Sequence, residues 1–184
     1  MTFRLRPALL ALTAALAGVA QAQDWRPASA FAQVGGGASD SNVTAASVGA
    51  LWPWSWRAQA LGGEFTALTE LYGSYWRARQ FGGGHQGFVQ LGLVPLLRYR
   101  LDAGRSPWFV EGGIGISVTN HRYVTPDKTF STNWNFSDNL AVGRSLGADR
   151  SSELSLRWQH ISNAGIRKPN PGEDFLFVRY ARSF

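Results

Sequence analysis

At a usual ~100–200 residues per domain, the chain of 184 residues fits one domain and leaves no room for a second of ordinary size. Its apolar share of 45% is that of a globular protein, but charged residues make up only 16% against a usual ~25%, which argues against a surface that meets water on all sides. With no cysteine and a single methionine, a disulfide framework, a thiolate zinc site and a cysteine nucleophile are excluded.

Residues 1–22 open with Arg4 and Arg6, continue as an apolar stretch from Ala8 to Val19, and end in Ala20-Gln21-Ala22, an A-x-A cleavage signal. This predicts a secretory signal peptide followed by a single domain over 23–184, since the apolar part is too short for the ~20 residues of a membrane helix. Removing Arg4 and Arg6 lowers the formal net charge from +6 to about +4. The longest later apolar run, Leu91 to Leu97, is seven residues, so a helical membrane protein is excluded and a bacterial exported protein is expected.

From Ala30 onward apolar residues recur at period two, interrupted by clusters of Gly, Pro, Asn, Asp and Ser, and no stretch keeps a 3.6-residue period. In one segment Val89, Leu91, Leu93, Pro95, Leu97, Tyr99 and Leu101 alternate with Gln90, Gly92, Arg98 and Arg100. In the next, Trp108, Val110, Gly112, Ile114, Ile116 and Val118 face away from Glu111, Gly113, Gly115 and Ser117. A third sets Leu154, Leu156 and Trp158 against Ser155, Arg157 and Gln159. Eight strands are predicted, over about 30–37, 42–52, 63–77, 87–101, 106–118, 130–144, 151–162 and 173–184.

A soluble sandwich would need a charged outer face, which this chain lacks. A transmembrane barrel inverts the arrangement: apolar residues face lipid while Gly, Ser, Gln and paired Arg and Glu fill the lumen. The fold class expected is therefore all-β, an eight-stranded antiparallel outer-membrane barrel, whose interior at this size is filled by side chains and does not serve as a pore. The end of the chain, Leu176, Val178, Tyr180 and terminal Phe184 on one face with Arg182 as the exception, resembles the C-terminal signature by which such barrels are recognised for assembly. Trp52, Trp54, Trp56, Trp76, Trp108 and Trp158 fall near strand ends, where indole rings favour the membrane interface.

His85 and His121 fall in predicted loops with no histidine or carboxylate at ligand spacing, and Gly35-Gly36-Gly37 and Gly82-Gly83-Gly84 read as turns. Arg167 and Lys168 read as phosphate contacts at a membrane surface, and the scattered arginines form no nucleic-acid stripe. His160 differs, because strand parity carries it and Ser162 onto the lipid-facing side, where an imidazole and a hydroxyl are costly unless they work or lie at the interface. Residues i and i+2 on one strand face can act as general base and serine nucleophile. An orienting carboxylate is still needed, and Glu173 and Asp174 open the adjacent strand.

The run His160-Ile161-Ser162-Asn163-Ala164-Gly165-Ile166-Arg167-Lys168-Pro169-Asn170-Pro171-Gly172 closely resembles the signature of the outer-membrane lipid A 3-O-deacylases, the PagL family, over about the last thirty residues. The resemblance implies an esterase that removes the 3-hydroxyacyl chain at position 3 of lipid A, with His160 as base, Ser162 as nucleophile and Asn163 and Gly165 at the oxyanion site. It implies no metal and no cofactor. Lipid A or lipopolysaccharide is the implied substrate. The surrounding outer-membrane lipid and, during biogenesis, the barrel-assembly machinery are the other partners; nucleic acid is not one, and a homodimer is left open. The acid is open between two neighbours: strand parity and the family spacing of fourteen residues from His160 favour Asp174, whereas the family's usual Glu favours Glu173 if a bulge shifts the turn. A solvated loop carboxylate, or a lumenal partner for Arg157 or Arg179, is the alternative for either. A non-enzymatic barrel serving adhesion or membrane integrity would explain the strands but not the polar His160, Ser162 and Asn163, and an outer-membrane phospholipase would call for a larger barrel and a calcium site.

Overall fold

The computed structural model describes residues 26–38 and 42–184, and the expected leader over 1–22 lies outside them. The alternating segments form β1 (Ser29–Gly37), β2 (Val43–Ala60), β3 (Gly63–Arg79), β4 (His85–Leu101), β5 (Trp108–Thr119), β6 (Trp134–Leu146), β7 (Ser152–Ser162) and β8 (Glu173–Ser183). Each strand pairs antiparallel with its chain neighbour, and β8 returns to β1 with Ser29 opposite Ser183 and Gly37 opposite Phe175, so the sheet closes into a barrel without an open edge. The expected strands are all present. β2 departs most from its predicted bounds, running to Ala60, because it passes Pro53 and the neighbouring tryptophans by a bulge: Pro53 opposes Leu68 while Arg57 opposes Thr66.

Parity sorts the two faces as the alternation implied. Leu91, Leu93, Leu97, Ile114, Ile116 and Val178 point outward and are exposed, while Gln33, Glu70, Gln90, Glu111, Arg157 and Arg179 are buried in the lumen. An apolar exterior of this extent is stable only against lipid. The connections at one end, 61–62, 102–107 and 147–151, are short, whereas those at the other include 120–133 and 163–172. In barrels of this type the longer loops are extracellular, so His160 and Ser162, at the long-loop end of β7, lie at outer-leaflet depth.

The lumen is layered. Toward the short-turn end Phe31, Leu51, Leu68, Val94 and Leu96 pack together. Toward the long-loop end Trp76, Phe88, Phe175 and Phe177 pack with Tyr123 and Phe130, which the 120–133 connection tucks into the barrel mouth. Trp76 is therefore a core residue, fully buried on the inner face, and not the interface residue its position near a strand end suggested. Trp108, by contrast, stands exposed at the short-turn end of β5.

A chain of alternating charges threads the lumen from its middle to the short-turn rim. Arg179 donates to both oxygens of Glu70 at 2.6 and 2.9 Å, and Arg157 bridges Glu70 at 3.2 Å to Glu111 at 2.7 Å. Arg98 then joins Glu111 to Glu153, both at 2.8 Å, and Arg100 reaches Glu153 at 2.7 Å. Removing one member of such a network leaves opposite charges buried without compensation. Glu70→Ala, which strands Arg157 and Arg179 together, is expected to cost about 3–5 kcal/mol. Urea unfolding in lipid vesicles, followed by loss of heat-modifiable migration, measures it.

Candidate active site

β7 ends at Ser162, and antiparallel pairing places His160 directly between Asp138 on β6 and Asp174 on β8. All three side chains lie on the outer face, and directly opposed residues bring their Cβ atoms to about 4.5–5.5 Å. The His160 ring meets the Asp174 carboxylate with Nδ1 2.8 Å from Oδ1. With its proton on Nδ1 donated to Asp174, the imidazole presents Nε2 as a lone-pair acceptor, the tautomer a general base requires. Trp158 lies two residues back on the same face, its ring within 5.9 Å of the imidazole and inclined by 19°.

Glu173 and Asp174 part company at the strand. Asp174 faces outward beside His160, while Glu173, opposite Ile161, is fully buried on the lumen side and accepts a hydrogen bond from Lys128 Nζ at 3.1 Å. The register holds without a bulge from His160↔Asp174 through Ser152↔Arg182. Glu173 does not meet Arg157 or Arg179, which are taken by Glu70 and Glu111; its partner comes from the 120–133 connection. Burial pushes the nearby Tyr123 phenol up, and the Glu173 carboxylate beside it acts in the same direction, so Tyr123 stays neutral in the mouth of the barrel.

After Ser162 the chain turns sharply. Ala164 and Gly165 both take left-handed φ, 54° and 76°, an unusual conformation for alanine, and the Ala164 N–H points at Ser162 Oγ at 3.3 Å. Asn163 is fully buried and organises this turn. Its Nδ2 donates to Ser131 Oγ, Thr132 Oγ1 and the Arg167 carbonyl at 3.0–3.1 Å, and its Oδ1 accepts from the Gly165 N–H at 3.0 Å. Its own N–H donates to Asn170 Oδ1 at 3.0 Å. On the return, Gly172 at φ 70° passes over the imidazole so closely that a Cβ there would stand 2.6 Å from His160 Cε1, which leaves glycine as the residue that fits.

The other histidines stand apart from this group: His85 Nδ1 lies 3.0 Å from Arg77, and His121 Nε2 lies 3.2 Å from the Gly87 carbonyl. Among the described residues no three His, Asp or Glu side chains gather as a metal-binding group. Asp138 is the residue that sequence reading passed over. It lies 22 positions before His160 with no motif around it, and the one signal was an acid on a strand face otherwise carrying Trp134, Phe136 and Leu140.

A protein-family model described as lipid A 3-O-deacylase (PagL) matches residues 44–183, every strand except β1. The chain belongs to the PagL family. It is similar to lipid A deacylase PagL of Bordetella bronchiseptica, 32% identical over 132 residues that cover 71% of this chain and 70% of that protein. It is also similar to lipid A deacylase PagL of Pseudomonas aeruginosa, 29% identical over 135 residues, covering 72% and 74%. A crystal structure of the outer membrane enzyme PagL superimposes with a TM-score of 0.71 at 25% identity, covering 85% of this chain and 100% of that one. As a PagL-family barrel the protein is an ester hydrolase of the outer membrane.

Proposed function

We propose that this chain removes the ester-linked 3-hydroxyacyl chain at position 3 of lipid A, with Ser162 as nucleophile, His160 as general base and Asp174 as the acid that orients it. The observation that carries the reading is the 2.8 Å contact of His160 Nδ1 with Asp174 on the lipid-facing side, two residues before Ser162 at the outer-leaflet end of β7. An acyl ester of the outer leaflet lies at that depth, so the substrate meets the serine sideways without leaving the membrane, and orientation is supplied by binding. His160 takes the Ser162 proton as Oγ bonds to the ester carbonyl carbon. The tetrahedral intermediate collapses by breaking the bond between that carbon and the sugar oxygen, which leaves as the alcohol with the proton from His160. Water, deprotonated by the same imidazole, then releases the hydroxy acid and restores Ser162.

Stabilisation of the oxyanion falls to the turn that Asn163 holds. The Ala164 N–H already faces Ser162 Oγ, and Asn163 and Gly165 act by fixing the left-handed backbone around it. Mass spectrometry of lipid A incubated with the purified barrel tests the reading: loss of one 3-hydroxyacyl mass is expected, unchanged in a chelating buffer because nucleophile, base and acid all come from side chains. An unchanged lipid A profile with a folded barrel overturns it, and activity that disappears with the chelator points to calcium-dependent lipolysis.

A further inference from the structure

The basic pair Arg167 and Lys168 has no part in the chemistry above, yet its backbone is tied to the turn that follows Ser162. The Arg167 carbonyl accepts from Asn163 Nδ2 at 3.0 Å, and its N–H lies 3.5 Å from Asn163 Oδ1. One residue further along, the Pro169 carbonyl accepts from the Ser131 N–H at 3.1 Å. Both ends of the dipeptide are thus tied to the scaffold that holds Ser162, while both side chains are exposed. The carboxylates of the neighbouring connections and of β8 are already engaged: Asp127 with Arg79, Glu173 with Lys128, and Asp174 with His160. Arg167 and Lys168 form no ion pair among the described residues, so their two charges are left for something outside the chain. Ile166, just before them, is 62% exposed. An apolar tip followed by two cations sets this loop at the boundary where acyl chains give way to headgroups, the ammonium and guanidinium reaching up from it.

We infer that Arg167 and Lys168 form a binding subsite for a phosphate monoester carried on the sugar headgroup of the substrate. The inference rests on the deacylase reading and adds to it a requirement on the headgroup. The Arg167 backbone is bonded to Asn163, the residue next to Ser162, so its side chain starts from a fixed point beside the nucleophile and is placed to meet an anion of the molecule whose ester lies there. Arginine supplies a planar fork for two phosphate oxygens and lysine a point charge, the complementary pair for an anion of this geometry.

The test compares the native chain, Arg167→Gln/Lys168→Gln and Arg167→Lys/Lys168→Arg on two substrates in zwitterionic mixed micelles: phosphorylated lipid A, and the same lipid A stripped of phosphate by a phosphatase. On phosphorylated lipid A the double Gln variant is expected to lose about tenfold to a hundredfold in kcat/KM, carried by KM, which is the effect of losing hydrogen bonds to a charged group. The native chain should lose a similar factor when the phosphate is removed, so that the two converge on the stripped substrate, and the charge-preserving variant should recover most of the loss. Equal losses on both substrates would mean a merely structural role, and no loss on either would mean no phosphate contact; both overturn the inference. So does a deficit that follows the phosphatidylglycerol content of the micelle, which would make the pair a general membrane-surface contact. In all three cases the native chain still releases hydroxy acid. If it releases none from either substrate, the deacylase reading fails and takes this inference with it.

Discussion

Ser162→Ala and His160→Ala are each expected to lower the rate of ester cleavage by about 10⁵–10⁶-fold, since nucleophile and base act as one unit and losing either loses most of what the group supplies. The barrel should survive both changes. Ser162 and His160 point away from the lumen, and neither belongs to the charged chain through Glu70 and Glu111 or to the two apolar layers. Variants that remain heat-modifiable but release no hydroxy acid are the expected result. A folded Ser162→Ala barrel with native turnover would show that the nucleophile lies elsewhere.

The second large effect separates two adjacent carboxylates. Asp174→Ala is expected to lower turnover by about 10⁴-fold, the order seen when a triad loses the acid that fixes the imidazole tautomer. Glu173→Gln should leave turnover within severalfold of native and act on stability, because it weakens the contact with Lys128 that ties the 120–133 connection into the barrel mouth. Hydroxy-acid release and urea midpoint, measured on both variants, read the two effects independently. A silent Asp174→Ala beside an inactive Glu173→Gln would reverse the assignment and require the turn to adopt another register.

Most of the barrel was legible because a strand with lipid on one side must keep that side apolar, and Val89 to Leu101 does so at every second residue, with Val94 and Leu96 as the apolar members of its otherwise small or polar inner face. The barrel followed from the shortage of charge, which left lipid as the surrounding for the apolar faces and the lumen for the Gly, Ser, Gln and paired Arg and Glu. The extension of β2 was hidden because Pro53 and its flanking tryptophans spoil the alternation, and a bulge can absorb that irregularity only when a partner strand is there to pair on both sides of it. Trp76 was ambiguous for a related reason: position near a strand end does not say which face an indole occupies, and parity with Ser74 and Ala78 places it inside.

At the site, His160 and Ser162 stood out as polar residues on an apolar face. The choice between Glu173 and Asp174 depended on the register of one hairpin, which residue type does not specify, and the pairing of His160 with Asp174 favours the shorter acid. Asn163 carried a motif but not its own geometry. Its carboxamide is consumed by Ser131, Thr132, Gly165 and Arg167, contacts that depend on two distant connections meeting in space.

The layered lumen has a consequence for the cell. A passage packed with aromatic and aliphatic side chains and laced by ion pairs from Glu70 to the short-turn rim admits neither antibiotics nor nutrients. Catalysis on the outer wall of such a plug leaves the permeability of the membrane independent of how many copies are present. A bacterium can therefore raise the dose of this enzyme to rewrite the chemistry of its surface without making that surface leak.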